Sequence, residues 1–199
     1  MFGLFKKEKK NKEVKESTLK NIQVGSFLEF GLIIEEPFHV LSEKEVKIED
    51  LMNLKTKVFE KSFYKLDTDN LYLSVHDSKN IELLKQIENV QNFIDNAVDE
   101  EFDAVLELEE SEIQDDVVSQ DNSFIVKNVT DDSLMKGRYY RVVDTIQGTV
   151  NSKEKRVFCF KHENNTAYVY GFINDQGDTK LYASKLLPKF YVSNIILSH

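Results

Sequence analysis

A chain of 199 residues with one cysteine and two prolines can bury a core without staples, and it excludes a disulfide framework or a Pro-rich disordered class. Its net charge of −9 is uneven: residues 1–20 carry seven Lys against three Glu, and residues 95–122 carry twelve Asp or Glu with no Lys or Arg. The rest is close to neutral, which excludes nucleic acid as the main ligand, because phosphate binding needs a basic surface.

The start reads Met1-Phe2-Gly3-Leu4-Phe5, followed by Lys6, Lys7, Lys9, Lys10 and Lys12. The apolar residues precede the basic cluster, the reverse of a secretory signal, so none is expected. No apolar run approaches the ~18 residues of a spanning helix. Together with the single cysteine, this predicts a cytoplasmic protein. Phe2, Leu4, Phe5, Lys6 and Lys7 form a candidate peripheral contact with an anionic membrane surface, weak and reversible given its size.

Short strands are expected from Ile22 onward, with Phe27–Ile34 interrupted by Gly31 and closed by Pro37. Phe63–Leu66 and Leu71–Val75 flank Asp67-Thr68-Asp69-Asn70, four turn formers in a row, which predicts a hairpin. Residues 80–98 read as an amphipathic helix. Ile81, Leu84, Ile87, Val90, Ile94, Ala97 and Val98 recur at steps of three and four, behind Asn80 as N-cap. The last third predicts an antiparallel meander: Arg138–Val150 with a break at Gly148, then Arg156–His162, Thr166–Ile173 and Lys180–Lys185.

The expected fold class is therefore α+β: mostly antiparallel sheet, one amphipathic helix and a C-terminal β-meander. The expected organisation is a basic flexible tail (1–20), a β-rich part ending in the helix (21–98), an acidic connector (99–122) and a C-terminal β part (123–199). Residues 21–199 are also readable as one domain.

The residues carry no catalytic constellation. The four His are not spaced for a zinc helix, and there is no Gly-x-Ser-x-Gly elbow. Gly171 and Gly177 are too far apart for a phosphate loop, and Asp178 stands where its Lys belongs. A calcium loop starting at Asp67 lacks its Gly at Tyr72 and its Glu at Ser78. Cys159, in Val157-Phe158-Cys159-Phe160, reads as a core residue. No cofactor, no metal and no enzymatic activity are expected.

Two stretches remain as candidate binding surfaces. The only three Arg are Arg138, Arg141 and Arg156, and Arg138, Tyr139, Tyr140 and Arg141 make a candidate ligand-binding face for a carboxylate or phosphate. Glu107, Glu109, Glu110, Asp115 and Asp116 make a candidate docking segment for a basic protein partner.

The phrase Phe63-Tyr64-Lys65-Leu66-Asp67-Thr68-Asp69-Asn70-Leu71-Tyr72-Leu73-Ser74-Val75 resembles one in the bacterial YjfK-like family. Lys136-Gly137-Arg138-Tyr139-Tyr140-Arg141-Val142 is similar to that family's later Gly-x-x-Tyr-x-Arg phrase. The resemblance implies a bacterial cytosolic protein without established catalysis, encoded near envelope-stress coat proteins of the phage-shock type, and it carries over no catalytic residue. The expected function is a protein-binding adaptor at or near the inner membrane surface. The alternative is a small-ligand binder or enzyme using the Arg/Tyr face.

Overall fold

The computed structural model describes residues 19–90, 123–126, 137–142, 147–174 and 176–198. In chain order the strands are β1 (Phe27–Phe30), β2 (Glu45–Lys55), β3 (Glu60–Leu66), β4 (Leu71–Val75), β5 (Asn80–Ile87) and β6 (Ser123–Val126). They continue as β7 (Gly137–Arg141), β8 (Gln147–Val150), β9 (Lys153–His162), β10 (Ala167–Ile173), β11 (Thr179–Pro188) and β12 (Val192–Ile196).

Eight of them close an antiparallel barrel in the order β2–β3–β4–β5–β11–β10–β9–β8 and back to β2. β1 and β12 extend the sheet from β2, and β7 and β6 extend it from β9. β9 is long enough to serve two partners. Its first half pairs β8, and Phe160–His162 pair with β7. Strands from either side of the acidic stretch thus build one barrel: β5 lies against β11, and β2 against β8.

The expected α+β class is overturned. The longest helical element among the described residues is the four-residue 3-10 turn Phe38–Leu41. Asn80–Ile87, expected as the first half of a helix, form β5, and residues 91–98 lie outside the described residues. The cause is burial on both faces. Ile81 and Leu83 point outward into one core cluster, and Leu84 points inward into another. The strand is paired along both edges, with β4 and β11, so its backbone groups are satisfied without a helix. Leu84, buried on the face opposite Leu83, breaks the alternation that Ile81, Glu82 and Leu83 begin, and Ile81, Leu84 and Ile87 are left at a three-residue spacing that imitates a helix. The long strand expected over 138–150 is likewise two strands, β7 and β8.

The Asp67–Asn70 hairpin is present. Asp69 and Asn70 both take positive φ, a conformation these side chains tolerate well, and Tyr64 pairs Leu73. Asn151 and Ser152 do the same between β8 and β9.

Each barrel strand sends a side chain to the interior: Leu54, Phe63, Tyr72, Leu84, Tyr182, Tyr170, Cys159 and Val150. Phe63 and Tyr170, from strands on opposite sides of the barrel, meet edge-to-face at 5.1 Å. Tyr72 meets Tyr182 in the same way at 5.2 Å. An eight-stranded barrel has room for its own side chains or one small ligand. Here the middle is occupied by aromatic rings, and truncating Phe63 to Ala would cost about 3–5 kcal/mol. A second cluster covers the outer face. Leu83, Phe158, Val169 and Ala183 pack there with Leu28 of β1, Val192 of β12 and Phe38.

Candidate binding site at the barrel mouth

One end of the barrel is polar. Glu82 of β5 is wholly buried and its two oxygens are divided between two partners. Oε1 accepts a 2.5 Å hydrogen bond from the Ser184 hydroxyl of β11, and Oε2 accepts one of 2.8 Å from Lys61 Nζ of β3. Lys61 Nζ also lies 3.0 Å from His76 Nδ1. Tyr168 of β10 closes the group, with its ring 5.8 Å from the His76 ring and 5.9 Å from Lys61 Nζ.

Burial pushes the Glu82 carboxyl up, but His76, the Lys61 charge and the Ser184 hydroxyl outweigh it and hold the group below the ordinary carboxylate value. Burial first, and the Glu82 charge second, push the Tyr170 hydroxyl and the Cys159 thiol well above theirs. Ser184 and Glu82 are both almost wholly out of contact with solvent. Cys159 is buried and protonated, the opposite of a reactive thiol. The group therefore organises the barrel end, with Lys61 and His76 partly exposed above it.

The polar row continues outward across the sheet. Tyr140 of β7 pairs Lys161 of β9, Lys161 pairs Tyr168, and Tyr168 pairs Ser184. Directly opposed residues of antiparallel strands share a face. Lys161 thus sits between two tyrosines, one exposed and one in the buried group. Beside it lies an open pocket of about 280 Å³ lined by Tyr140, Val142, Lys161, His162, Glu163 and Asn165. His162 Nδ1 accepts the Asn164 amide at 3.1 Å within the β9–β10 turn, and the Tyr139 ring meets the His162 ring edge-on at 5.0 Å.

Of the face expected from Arg138, Tyr139, Tyr140 and Arg141, the structure divides the two tyrosines. Tyr139 is buried, and burial pushes its hydroxyl far up, whereas Tyr140 is half exposed and lines the pocket. Arg138 and Arg141 are placed in β7, and their side chains lie outside the described residues. So do Glu107, Glu109, Glu110, Asp115 and Asp116, and so do Phe2, Leu4, Phe5, Lys6 and Lys7. Lys61, His76, Glu82, Ser184, Lys161 and Asn165 were not anticipated. They come from five separate stretches, and only the barrel register joins them. Among the described residues no three His, Cys, Asp or Glu side chains converge as a metal site requires. No described helix is long and apolar enough to cross a membrane.

No family model, no curated protein and no solved structure matches this chain.

Proposed function

We propose that the protein is a non-catalytic protein-binding module that takes up an extended segment of its partner along the edge of β12 that no described strand covers. The observation that carries this reading is the edge itself. β12 pairs β1 on one side and no described strand on the other. Its sequence, Val-Ser-Asn-Ile-Ile, contains no charge and no proline, the devices that ordinarily blunt an edge. Such an edge offers a row of backbone donors and acceptors that an added strand satisfies.

Apolar side chains stand at both ends of this edge. Gly31 N–H donates to the Tyr191 carbonyl at 2.8 Å, where the 3-10 turn Lys189–Tyr191 enters β12. Leu32, Ile34 and Phe190 are 65%, 75% and 72% exposed, and Ile196 at the far end is 47% exposed. Large apolar residues gathered at an open strand are recognition features more often than accidents. The filled barrel favours a surface over an internal chamber, and the Glu82 group lacks the access that catalysis needs.

The test replaces Asn194 with a photo-crosslinking residue in the full chain and maps the linked peptide in native cells. An extended segment of a second protein is expected, and its capture should fall with Phe190→Glu plus Ile196→Lys while the melting temperature holds. Crosslinking only to a second copy of the chain, or capture indifferent to those changes, would remove the reading.

A further inference from the structure

We propose that the pocket between β7 and the β9–β10 turn binds a small monoanionic ligand, a carboxylate attached to a flat apolar ring. Each part of that description comes from a residue in the wall. The Lys161 ammonium forms no ion pair with any described residue, although a carboxylate, Glu163, lies in the same pocket. Asn165 brings a side-chain amide that hydrogen-bonds to no described residue. Tyr140 and Val142 supply apolar surface, 47% and 38% exposed.

Lys161 lies directly opposite Tyr140 on one side and Tyr168 on the other, so all three start from the same face of the sheet. Tyr168 is itself held by His76 and Tyr170, whose rings lie 5.8 Å and 5.7 Å from it.

Charge selects the anion. One ammonium matches one carboxylate, and among the described lining residues Lys161 is the one ammonium, beside the Glu163 carboxylate that a phosphate dianion would also meet. Size selects the body. At about 280 Å³ the pocket lies at the small end of ligand sites and suits one ring with a short substituent. An Asn165 amide and a Tyr140 hydroxyl give the carboxylate its second hydrogen bond, and the ring covers Val142.

The experiment titrates the full chain, followed by backbone amide shifts, with benzoate, acetate, benzyl alcohol and inorganic phosphate. Benzoate is expected to bind with a dissociation constant on the order of 1 mM or tighter and to shift Tyr140, Lys161 and Asn165 but not Val24 on the far side. Acetate and benzyl alcohol should each be at least about tenfold weaker, because each supplies half of the contacts. Lys161→Gln should weaken benzoate about tenfold or more, the loss expected of one charge-assisted hydrogen bond, and leave benzyl alcohol unchanged. Should that variant fold poorly, Asn165→Gly, which keeps the positive φ of that exposed turn position, removes the side-chain amide and should also weaken benzoate. Phosphate binding as tightly as benzoate overturns the ligand class. Absence of any shift at these residues, or benzoate affinity unchanged in both variants, overturns the site. Neither result bears on the β12 edge.

Discussion

Lys61 Nζ and Glu82 Oε2 meet at 2.8 Å across the inside of the barrel, from strands that are separated by β4. The carboxylate is wholly buried, and the Lys61 side chain is only 16% exposed. Removing one partner leaves the other charge in a medium that cannot solvate it, at about 3–5 kcal/mol. Lys61→Met is therefore expected to destabilise the fold by that amount in urea unfolding. Lys61→Met with Glu82→Leu removes both charges and should cost clearly less than the sum of the single changes. A strictly additive double variant would mean that the pair is not coupled.

The same carboxylate makes stability depend on acidity. Its pKa in the fold is held below the ordinary carboxylate value, so the folded state favours the ionised form. That contribution is complete above the unfolded value and fades as pH falls below it through the folded value. Asp77, held low by the Lys79 amide, fades in the same window, so the whole-protein curve does not isolate Glu82. The difference between the parent and Glu82→Gln does. It should be constant near neutrality and shrink steadily below about pH 4.5.

A close approach on the outer face sets a third expectation. A Cβ built on Gly171 would stand 2.2 Å from Phe158 Cζ and 2.7 Å from Leu181 Cδ2. Both neighbours are buried, so neither ring nor branch has room to retreat. Gly171→Ala should lose about 1–3 kcal/mol by overpacking. Phe158→Leu in the same chain should recover part of that loss, although alone it opens a cavity. Thermal melts of the four forms give the coupling.

How much of this was readable beforehand varied with burial. The Asp67–Asn70 hairpin was plain because turn chemistry is local, and Leu71, Leu73 and Val75 alternate beside it. β5 was not, because a strand buried on both faces has no solvent side to print a period of two. Cys159 was legible as core from its apolar neighbours alone. Glu82 carried no sign of its role: an acid in Asn80–Ile87 reads as surface until Lys61, 21 positions earlier, and Ser184, 102 positions later, are brought to it. The pocket was half legible. The aromatic–Arg phrase pointed to β7, but Lys161 and Asn165 join Tyr140 only through the pairing of β7 with β9.

The barrel closes on little, which makes its seam the place to test closure. Only Leu54 with Val150 and Lys55 with Thr149 pair β2 to β8. Asn151 adds two bonds, donating its amide to the Asn53 carbonyl at 2.9 Å and accepting the Asn53 amide on Oδ1 at 2.8 Å. Gly148 permits the approach: a Cβ there would lie 2.5 Å from the Lys55 carbonyl oxygen, a backbone atom that cannot swing aside. Gly148→Ala is expected to part the seam and speed amide exchange at Lys55, Thr149 and Val150 by at least about tenfold, the result of weakening local closure by about 1.4 kcal/mol. Exchange in β10 and β11, whose pairing runs from Ala167–Lys185 to Ile173–Thr179, should change far less. Asn151→Gly should produce a milder version of the same pattern, because it removes the Oδ1 bond to the Asn53 amide while glycine tolerates the positive φ of that position. Uniform acceleration across all strands would show that the barrel opens as a whole and that the seam has no separate stability.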